Sequence, residues 1–512
     1  MLNYERSFEE DYKRLVSECA SRVFIHDSYS EEDFTYDHID QLADECWKAL
    51  GSQGVQSVSI LASVLPDSLC SLITFMSCLK YGIDYMPLSS QITVTELKRY
   101  LFLVKPSYIV VLKGAKQKEV VQAAGYGAQV IELDIADWRG KVQGLRQTTQ
   151  IGVRRNSLLY VSTSGSTGAP KCLKLETDRL WAAGCAFAGF HEFLDESTNF
   201  YNFYPMCYLA GLFNLTLIPM SVGARVVLGE GFTGLSMMRF WTIVKRYGVN
   251  VLWFSPTVLH GLLACSKTPD QLCPVDLATT IRAGFLGMGP ISKVQKLNYE
   301  RILGFPLLEN YALSETTFLT SETLSNRFRR SEGSVGEILP WVDARVVAET
   351  GEIENRTPFL CKGEIVLEEG NPIEHAFDRE TFWKTGDLGR IVGKLLYYAG
   401  RLKHLVKRGG YLVSLDELEG YLSEVQGAEG GMVLGVEHPF YGESTVICLR
   451  KPQREVSGMI RQHLAEKLSR YKWPSYFAFL DEFPLTVTGK PDRKGIERLL
   501  IGMAKDELLE LF

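Results

Sequence analysis

The sequence predicts an α/β protein: a large N-terminal domain of βαβ sheets with a β-rich subdomain, followed by a small α+β unit at the C-terminus. Three observations predict it. Short β-branched runs alternate with helical apolar periods through the first half of the chain. Residues 333–392 keep strand-like pieces but lose the helical period. After residue 401 the pattern reads strand, helix, strand, strand, helix.

The elements follow in order. A strand at 57–64 precedes a helix at 67–80, a strand at 108–112 precedes a helix at 116–125, and a strand at 225–228 precedes a helix at 235–247. Such alternation makes a mostly parallel sheet, because parallel neighbours need a crossover between them. Pro66-Asp67-Ser68-Leu69 reads as a capped helix start. In the β-rich stretch, strands are expected at 344–348, 364–367 and 395–398. The C-terminal unit is expected to place strands at 411–414, 432–436 and 444–449 and helices at 415–425 and 457–470. Neither an internal repeat nor a low-complexity linker separates the parts, so domains at 1–400 and 401–512 should meet at a tight hinge rather than a tether.

Composition fits an enzyme of ordinary make-up. A chain of 512 residues, 46% hydrophobic and 23% charged, can bury a large core and divide into domains. A net charge of -6 argues against a nucleic-acid binder. Eleven cysteines without paired C-x-x-C spacing read as free thiols in a reducing compartment. The first ten residues are polar and acidic, with no secretory pattern, so a cytoplasmic protein is expected. The most apolar region, 58–79, is interrupted by Pro66 and Asp67 and is not expected to span a membrane.

The strongest chemical signal is Ser162-Thr163-Ser164-Gly165-Ser166-Thr167-Gly168-Ala169-Pro170-Lys171, directly after an apolar strand. Glycines let backbone N–H groups curl around an anion, hydroxyls add donors, and Lys171 adds a charge. The spacing is neither a Walker A loop nor a nucleophile elbow. Taken alone, the stretch could equally be a flexible Ser/Gly surface loop.

Further segments in order lead beyond that alternative. The loop is similar to T-S-G-[ST]-T-G-x-P-K, Asn310-Tyr311-Ala312-Leu313-Ser314-Glu315 to N-x-Y-G-x-T-E, and Lys384-Thr385-Gly386-Asp387-Leu388 to [YW]-[RK]-T-G-D. Gly400-Arg401-Leu402-Lys403 is similar to a G-R-x-[DK] hinge, and Pro484-Leu485-Thr486-Val487-Thr488-Gly489-Lys490 to P-x-T-x-x-G-K. Fainter echoes lie at Phe34-Thr35-Tyr36, Tyr85-Met86-Pro87-Leu88 and Gly363-Glu364-Ile365. Over nearly its whole length the chain resembles the adenylate-forming superfamily: acyl- and aryl-CoA ligases, adenylation domains of peptide synthetases, and luciferases.

The resemblance implies ATP and Mg²⁺ as cofactors and a carboxylate attacking the α-phosphate. Thr163, Ser164, Gly165, Ser166, Thr167, Gly168 and Lys171 would hold the β- and γ-phosphates. Glu315 would hold the metal, which prefers oxygen ligands. Asn310, Tyr311, Ala312 and Ser314 would bind the nucleotide, with Tyr311 on the adenine face. Asp387 would accept from the ribose hydroxyls, Arg401 would pair with ribose or phosphate oxygen, and Lys490 would be the catalytic cation. The C-terminal unit would be a mobile lid turning at Lys403 and presenting Gly409, Gly410 and Tyr411 to a pantetheine thiol, whether of CoA or of a carrier protein. Lys407 and Arg408 could meet CoA phosphates or an acidic carrier face. In isolation each of these residues has a plainer reading: capping acid, surface lysine, core tyrosine or simple turn.

The substrate must be read from the pocket. Amino-acid-activating relatives carry an acid that receives the α-ammonium, and residues 203–214 contain none. Pro205 to Gly211 instead resembles a P-x-x-H-x-x-G element with Tyr208 in place of His. Phe203, Tyr208, Leu209, Gly287, Met288, Gly289, Ala312 and Phe318 are the candidate wall of an apolar pocket, or else core packing. Departures from the family pattern are Cys172 for Gly, Thr177 for His, Ala312 for Gly and Ser314 for Thr. The expected function is adenylation of an aryl or acyl carboxylic acid and its transfer to a thiol. The alternatives are an amino-acid-activating enzyme that loads a peptidyl carrier protein, and a degenerate nucleotide-binding or interaction protein. A small carboxylic acid is the expected partner; nucleic acid is not.

Overall fold

The computed structural model describes residues 4–134, 156–164, 170–231, 234–266, 272–325, 333–408, 411–438, 442–468, 470–486, 491–502 and 509–511. Two large sheets and one small one account for the described strands. In the first large sheet, Ile60–Leu65 lies between Asp84–Ser89 and Tyr108–Leu112 in parallel register, with Gln129–Leu133 beyond. On the other side Asp84–Ser89 pairs in parallel with Leu158–Ser164, which turns back antiparallel as Pro170–Glu176. The predicted helix after the first strand is Leu69–Tyr81, buried at every position except Lys80. A helix apolar on all sides belongs in the interior. It ends at Gly82, in the left-handed region at φ 65°, whose N–H donates to the Cys78 carbonyl.

The second large sheet runs in parallel through Val23–Asp27, Arg225–Leu228, Asn199–Asn202, Val251–Phe254, Ala283–Leu286 and Leu307–Leu313. Beyond that it becomes antiparallel, through the hairpin of Leu307–Leu313 with Thr317–Ser321. The β-rich stretch is present, and its strands are divided between the two sheets. Glu337–Ile338, Asp343–Val346, Glu352–Arg356, Trp383–Val392 and Leu395–Arg401 extend the second sheet, while Gly363–Glu368 and Asn371–Ala376 extend the first through Pro170–Glu176. A continuous apolar core fills the space between them, with Phe75, Trp181, Phe187, Trp253 and Phe285 among its largest members.

The C-terminal unit has its own sheet, in the order Tyr411–Ser414, Leu405–Arg408, Gly442–Arg450, Tyr476–Leu480 and Leu509–Leu511, with Met432–His438 also paired to Gly442–Arg450. Val413, Leu418, Val433, Ile447, Ile460 and Phe477 form its core. Two helices stop short of expectation. Leu415–Leu422 ends where the Ser423 hydroxyl bonds the Gly420 carbonyl. Ser457–Lys467 ends at an extended Leu468, whose carbonyl is taken by the Trp473 indole N–H at 3.0 Å. Neither local bond could be anticipated from apolar periodicity.

One expected cap takes another form. Ser68 occupies the N-cap position without a side-chain cap bond, and Asp67 Oδ1 instead accepts the backbone N–H of Met206 at 2.7 Å. The carboxylate that reads locally as a helix start therefore ties down a loop 139 residues away in sequence. Among the described residues no helix is long and apolar enough to cross a membrane.

Candidate active site

Two groups of side chains, both near the carboxyl ends of parallel strands, mark the ends of the site. This is where open α/β sheets bind ligands, since chains leave the strands there in loops. The first group surrounds Lys171. Register partners Thr163 and Lys171, and Ser164 and Pro170, close the base of the Ser/Gly loop as a hairpin. Gly165, Ser166, Thr167 and Gly168, and the side chains of Thr163 and Ser164, lie outside the described residues. Lys171 Nζ is 2.7 Å from Glu315 Oε1 and 2.9 Å from Glu364 Oε2. Burial pulls the ammonium pKa down, but Glu315 and Glu364 outweigh it and hold it above its ordinary value. The Glu315 carbonyl also accepts the Cys361 N–H at 2.8 Å, fixing the turn that carries the carboxylate.

The second group is built on Asp387, which is 1% exposed. Tyr311 Oη donates to its Oδ2 at 2.6 Å, and Arg401 Nε lies 2.8 Å from its Oδ1. Burial pushes the Asp387 carboxyl up, while Arg401 and the Tyr311 hydroxyl pull it down. Burial, and then the Asp387 charge, push Tyr311 well above the usual phenol range, so it remains a donor. Local backbone explains the aim of these groups. Gly386 turns at φ 71° and donates its N–H to Glu352 Oε1, and Asp387 N donates to Thr385 Oγ1. The register shifts between Tyr311 and Ala312, a bulge that re-aims side chains. Thr317, β-branched and at φ 60°, closes the same hairpin in a strained conformation of the kind found at functional sites.

Asn310 is buried beside this group. Its Oδ1 stands where a Cβ on Gly287 would come within 2.6 Å, so that position admits only glycine while Asn310 keeps its place. Asn310 Nδ2 is buried without a partner among the described residues. An unspent buried donor beside a paired Asp387 suits a ligand rich in acceptors and hydroxyls, as a nucleoside is. Glu309, one residue before Asn310, lines a cavity of about 620 Å³ together with Pro290, Lys296, Glu300, Phe305 and Tyr398 among others.

The remaining candidates are scattered. Ala312 is exposed and Ser314 half-buried. Tyr208 and Leu209 are half-buried at the entry to a π-helix, Ala210–Leu217, where Gly211 admits no Cβ because the Pro205 carbonyl lies 2.6 Å from its place. Met288 sits at φ 64°, and a Cβ on its neighbour Gly289 would make only ordinary contact with Pro256. Phe203 and Phe318 have the packing alternative: the first is enclosed by Tyr201, Tyr204 and Phe240, the second by Phe187, Phe213 and Trp253. Lys403 lies in the short turn Leu402–His404. Burial lowers its pKa first, Arg401 lowers it further, and Lys494 and Lys171 contribute in the same direction. Lys490, Gly409 and Gly410 lie outside the described residues, as does the Tyr411 side chain. Leu485 and Pro491, on either side of Lys490 in the sequence, form an isolated antiparallel bridge.

Two residues were missed by sequence reasoning. Glu364 was visible only as a faint echo, and nothing local says that a strand 193 residues from Lys171 brings a second carboxylate to it. Glu309 was hidden by a count: N-x-Y-G-x-T-E has seven positions and Asn310 to Glu315 only six. Anchored on Tyr311, the pattern places Glu309, not Asn310, at the motif's Asn. Residues 203–214 contain no acid, but Asp67 reaches them from elsewhere in the chain. Its Oδ1 is engaged by Met206 N.

The family described as "AMP-binding enzyme" matches residues 13–371, and "AMP-binding enzyme C-terminal domain" matches residues 417–490. The chain belongs to this family. It is an adenylate-forming acid–thiol ligase. Among curated relatives, an acyl-CoA synthetase of Gibberella moniliformis is 24% identical, the match covering 91% of this chain and 92% of that one. An indoleacetate–CoA ligase of Aromatoleum aromaticum is 23% identical over 92% and 94%. Tyrocidine synthase 1 of Brevibacillus parabrevis is 24% identical over 96% of this chain but only 45% of its own length. The crystal structure of ATP-bound MatB from Rhodopseudomonas palustris superposes with a TM-score of 0.80 at 21% identity, covering 96% of this chain and 98% of that one. The anthranilate CoA ligase AuaEII with anthranoyl-AMP gives 0.81 at 18%, covering 98% and 99%. These AMP-binding enzymes share its fold of a large sheet domain and a small C-terminal domain.

Proposed function

We propose that this AMP-binding enzyme activates an aryl or acyl carboxylic acid with ATP, releases pyrophosphate, and transfers the acyl group from the adenylate to the thiol of CoA. The observation that carries the reading is the pair of poles: Lys171 among carboxylates at one end, and Tyr311–Asp387–Arg401 at the other. Lys171 exchanges its two carboxylate partners for phosphate oxygens of the substrate ATP. Asp387 accepts from the ribose hydroxyls while Arg401 keeps it ionised, and Tyr311 lies along the adenine. Glu315, with Glu364 beside it, would hold Mg²⁺. That ion supplies positive charge to the phosphates when bound. Lys490 carries the charge that meets the α-phosphate as the carboxylate attacks.

The C-terminal unit serves the second step as a lid. Its attachment is specific: Asp416, at the head of helix Leu415–Leu422, accepts from Arg401 N at 2.6 Å and pairs with His404 Nδ1 at 2.9 Å. Turning at Lys403 withdraws Lys490 and brings Gly409, Gly410 and Tyr411 to the thiol. CoA is favoured over a carrier protein because the acyl-CoA synthetase and indoleacetate–CoA ligase relatives match over 92% and 94% of their length, whereas tyrocidine synthase 1 matches over 45%. An acyl or aryl substrate is favoured because residues 203–214 carry no acid and Asp67, which reaches this loop, accepts the Met206 backbone N–H at 2.7 Å. Pyrophosphate exchange into ATP, measured against a panel of acids, tests this. Exchange is expected with aryl or medium-chain acyl acids; strong exchange with a single amino acid and none with simple acids would overturn the substrate class.

A further inference from the structure

Lys296 lies on helix Lys293–Leu303 with only 5% of its side chain exposed, on the same buried side as Tyr299, Ile302 and Leu303. A lysine among such neighbours is costly unless it is paired. Here it is paired twice. Its Nζ is 2.7 Å from Glu309 Oε2 and 2.5 Å from Glu322 Oε2. The two carboxylates come from opposite strands of the hairpin that also carries Asn310, Tyr311 and Glu315, one in Leu307–Leu313 and the other immediately after Thr317–Ser321. The backbone closes the arrangement: Glu309 N donates to Glu322 Oε2 at 2.6 Å, and Glu322 N donates to the Glu309 carbonyl at 2.9 Å. Glu309 and Lys296 also line the cavity of about 620 Å³ whose wall includes Tyr398, the ring of which lies 6.1 Å from that of Tyr311.

An apolar side chain at position 296 would pack the helix against the sheet at lower desolvation cost, so packing alone does not explain a buried cation bonded to both strands. We propose that Lys296 is a positioning residue for the nucleotide. By drawing Glu309 and Glu322 together it fixes the hairpin against its helix, and with it the placement of Asn310 and Tyr311, immediately after Glu309. This rests on the reading of Tyr311 as the adenine shelf. Both carboxylates converge on the one ammonium. Removing Lys296 drives the acids apart and shifts the shelf without touching phosphate or acid groups.

The test is steady-state kinetics of the full chain with ATP and acid varied separately, alongside thermal unfolding. Lys296→Met is expected to raise KM for ATP about tenfold while kcat and KM for the acid stay within about twofold, the pattern of lost uniform binding. Lys296→Met/Glu322→Gln restores KM for ATP toward wild type, because the amide bonds both the Glu309 carboxylate and Glu309 N without added charge. A folded Lys296→Met with unchanged KM for ATP, or with ATP and acid parameters degraded equally, overturns the inference. If Lys296→Met does not fold, Glu322→Ala alone decides: a KM for ATP raised about threefold supports the assignment, and a wild-type KM overturns it. Tyr311→Ala separates the two readings. If it leaves KM for ATP unchanged, the adenine shelf is wrong; if it raises KM and the Lys296 variants do not, only the positioning role is wrong.

Discussion

Tyr311 Oη donates to Asp387 Oδ2 at 2.6 Å, so the ring assigned to the adenine face also steadies the carboxylate assigned to the ribose. The bond helps to pull the Asp387 carboxyl down against its burial. Tyr311→Phe keeps the ring and loses the bond. It should raise KM for ATP by about tenfold or more with little effect on kcat, since a bond to a charged group contributes about 1.5–3 kcal/mol. Equilibrium binding of ATP checks this, and unchanged binding would mean that Asp387 needs no such support.

Lys490→Ala should abolish adenylation, by about 10²-fold or more, because a cation aimed at developing phosphate charge contributes several kcal/mol. Transfer from a supplied acyl adenylate to CoA should persist. Equal loss of both half-reactions would show that Lys490 acts elsewhere.

How far the sequence could be read depends on how local each signal is. The alternation around Ile60–Leu65 and Leu69–Tyr81 was legible because apolar period is a property of neighbouring residues. The sharing of strands 333–392 between two sheets was not, because pairing partners such as Cys172 and Ile365 lie far apart in the chain. The same contrast holds within the site. Lys171, Tyr311, Asp387 and Arg401 stand in short motifs and were named from them. Glu364 stands only in a faint echo, Lys296 and Glu322 in no motif, and only folding brings their charges to their partners. Phe203 and Phe318 show the opposite failure: their apolar character suits a pocket wall and a core equally well.

Lys403→Pro should separate the two half-reactions. Proline fixes φ near -65°, and a hinge works by changing backbone torsions. Adenylate formation is expected to continue while thioester formation fails, as measured by pyrophosphate exchange and by acyl-CoA appearance. Thioester formation at the wild-type rate would place the hinge elsewhere.

His191 should set the acid limb of stability. It is buried among Phe187, Phe190, Phe193 and Phe285, with Nε2 3.1 Å from Ser321 Oγ. Burial lowers its pKa to about 3. The unfolded chain takes up this proton below about pH 6.5 and the folded chain does not, so stability is present above that pH and falls as pH drops toward 3. The slope is about 1.4 kcal/mol per pH unit, or about 2 kcal/mol by pH 5. His191→Gln should be less stable at pH 8 but lose less on acidification. Parallel denaturation curves for the two proteins between pH 8 and pH 5 would rule the histidine out.

The division of strands has a mechanical consequence. Lys171 and Glu364 ride on one large sheet, whereas Tyr311, Asp387 and Arg401 ride on the other, and the Lys171–Glu315 ion pair joins the first sheet to the hairpin of the second. A nucleotide gripped at both poles is therefore a rivet between two plates. Its arrival should stiffen the seam between the plates more than either plate itself, and amide exchange slowed by ATP should trace that seam rather than the interior of each sheet.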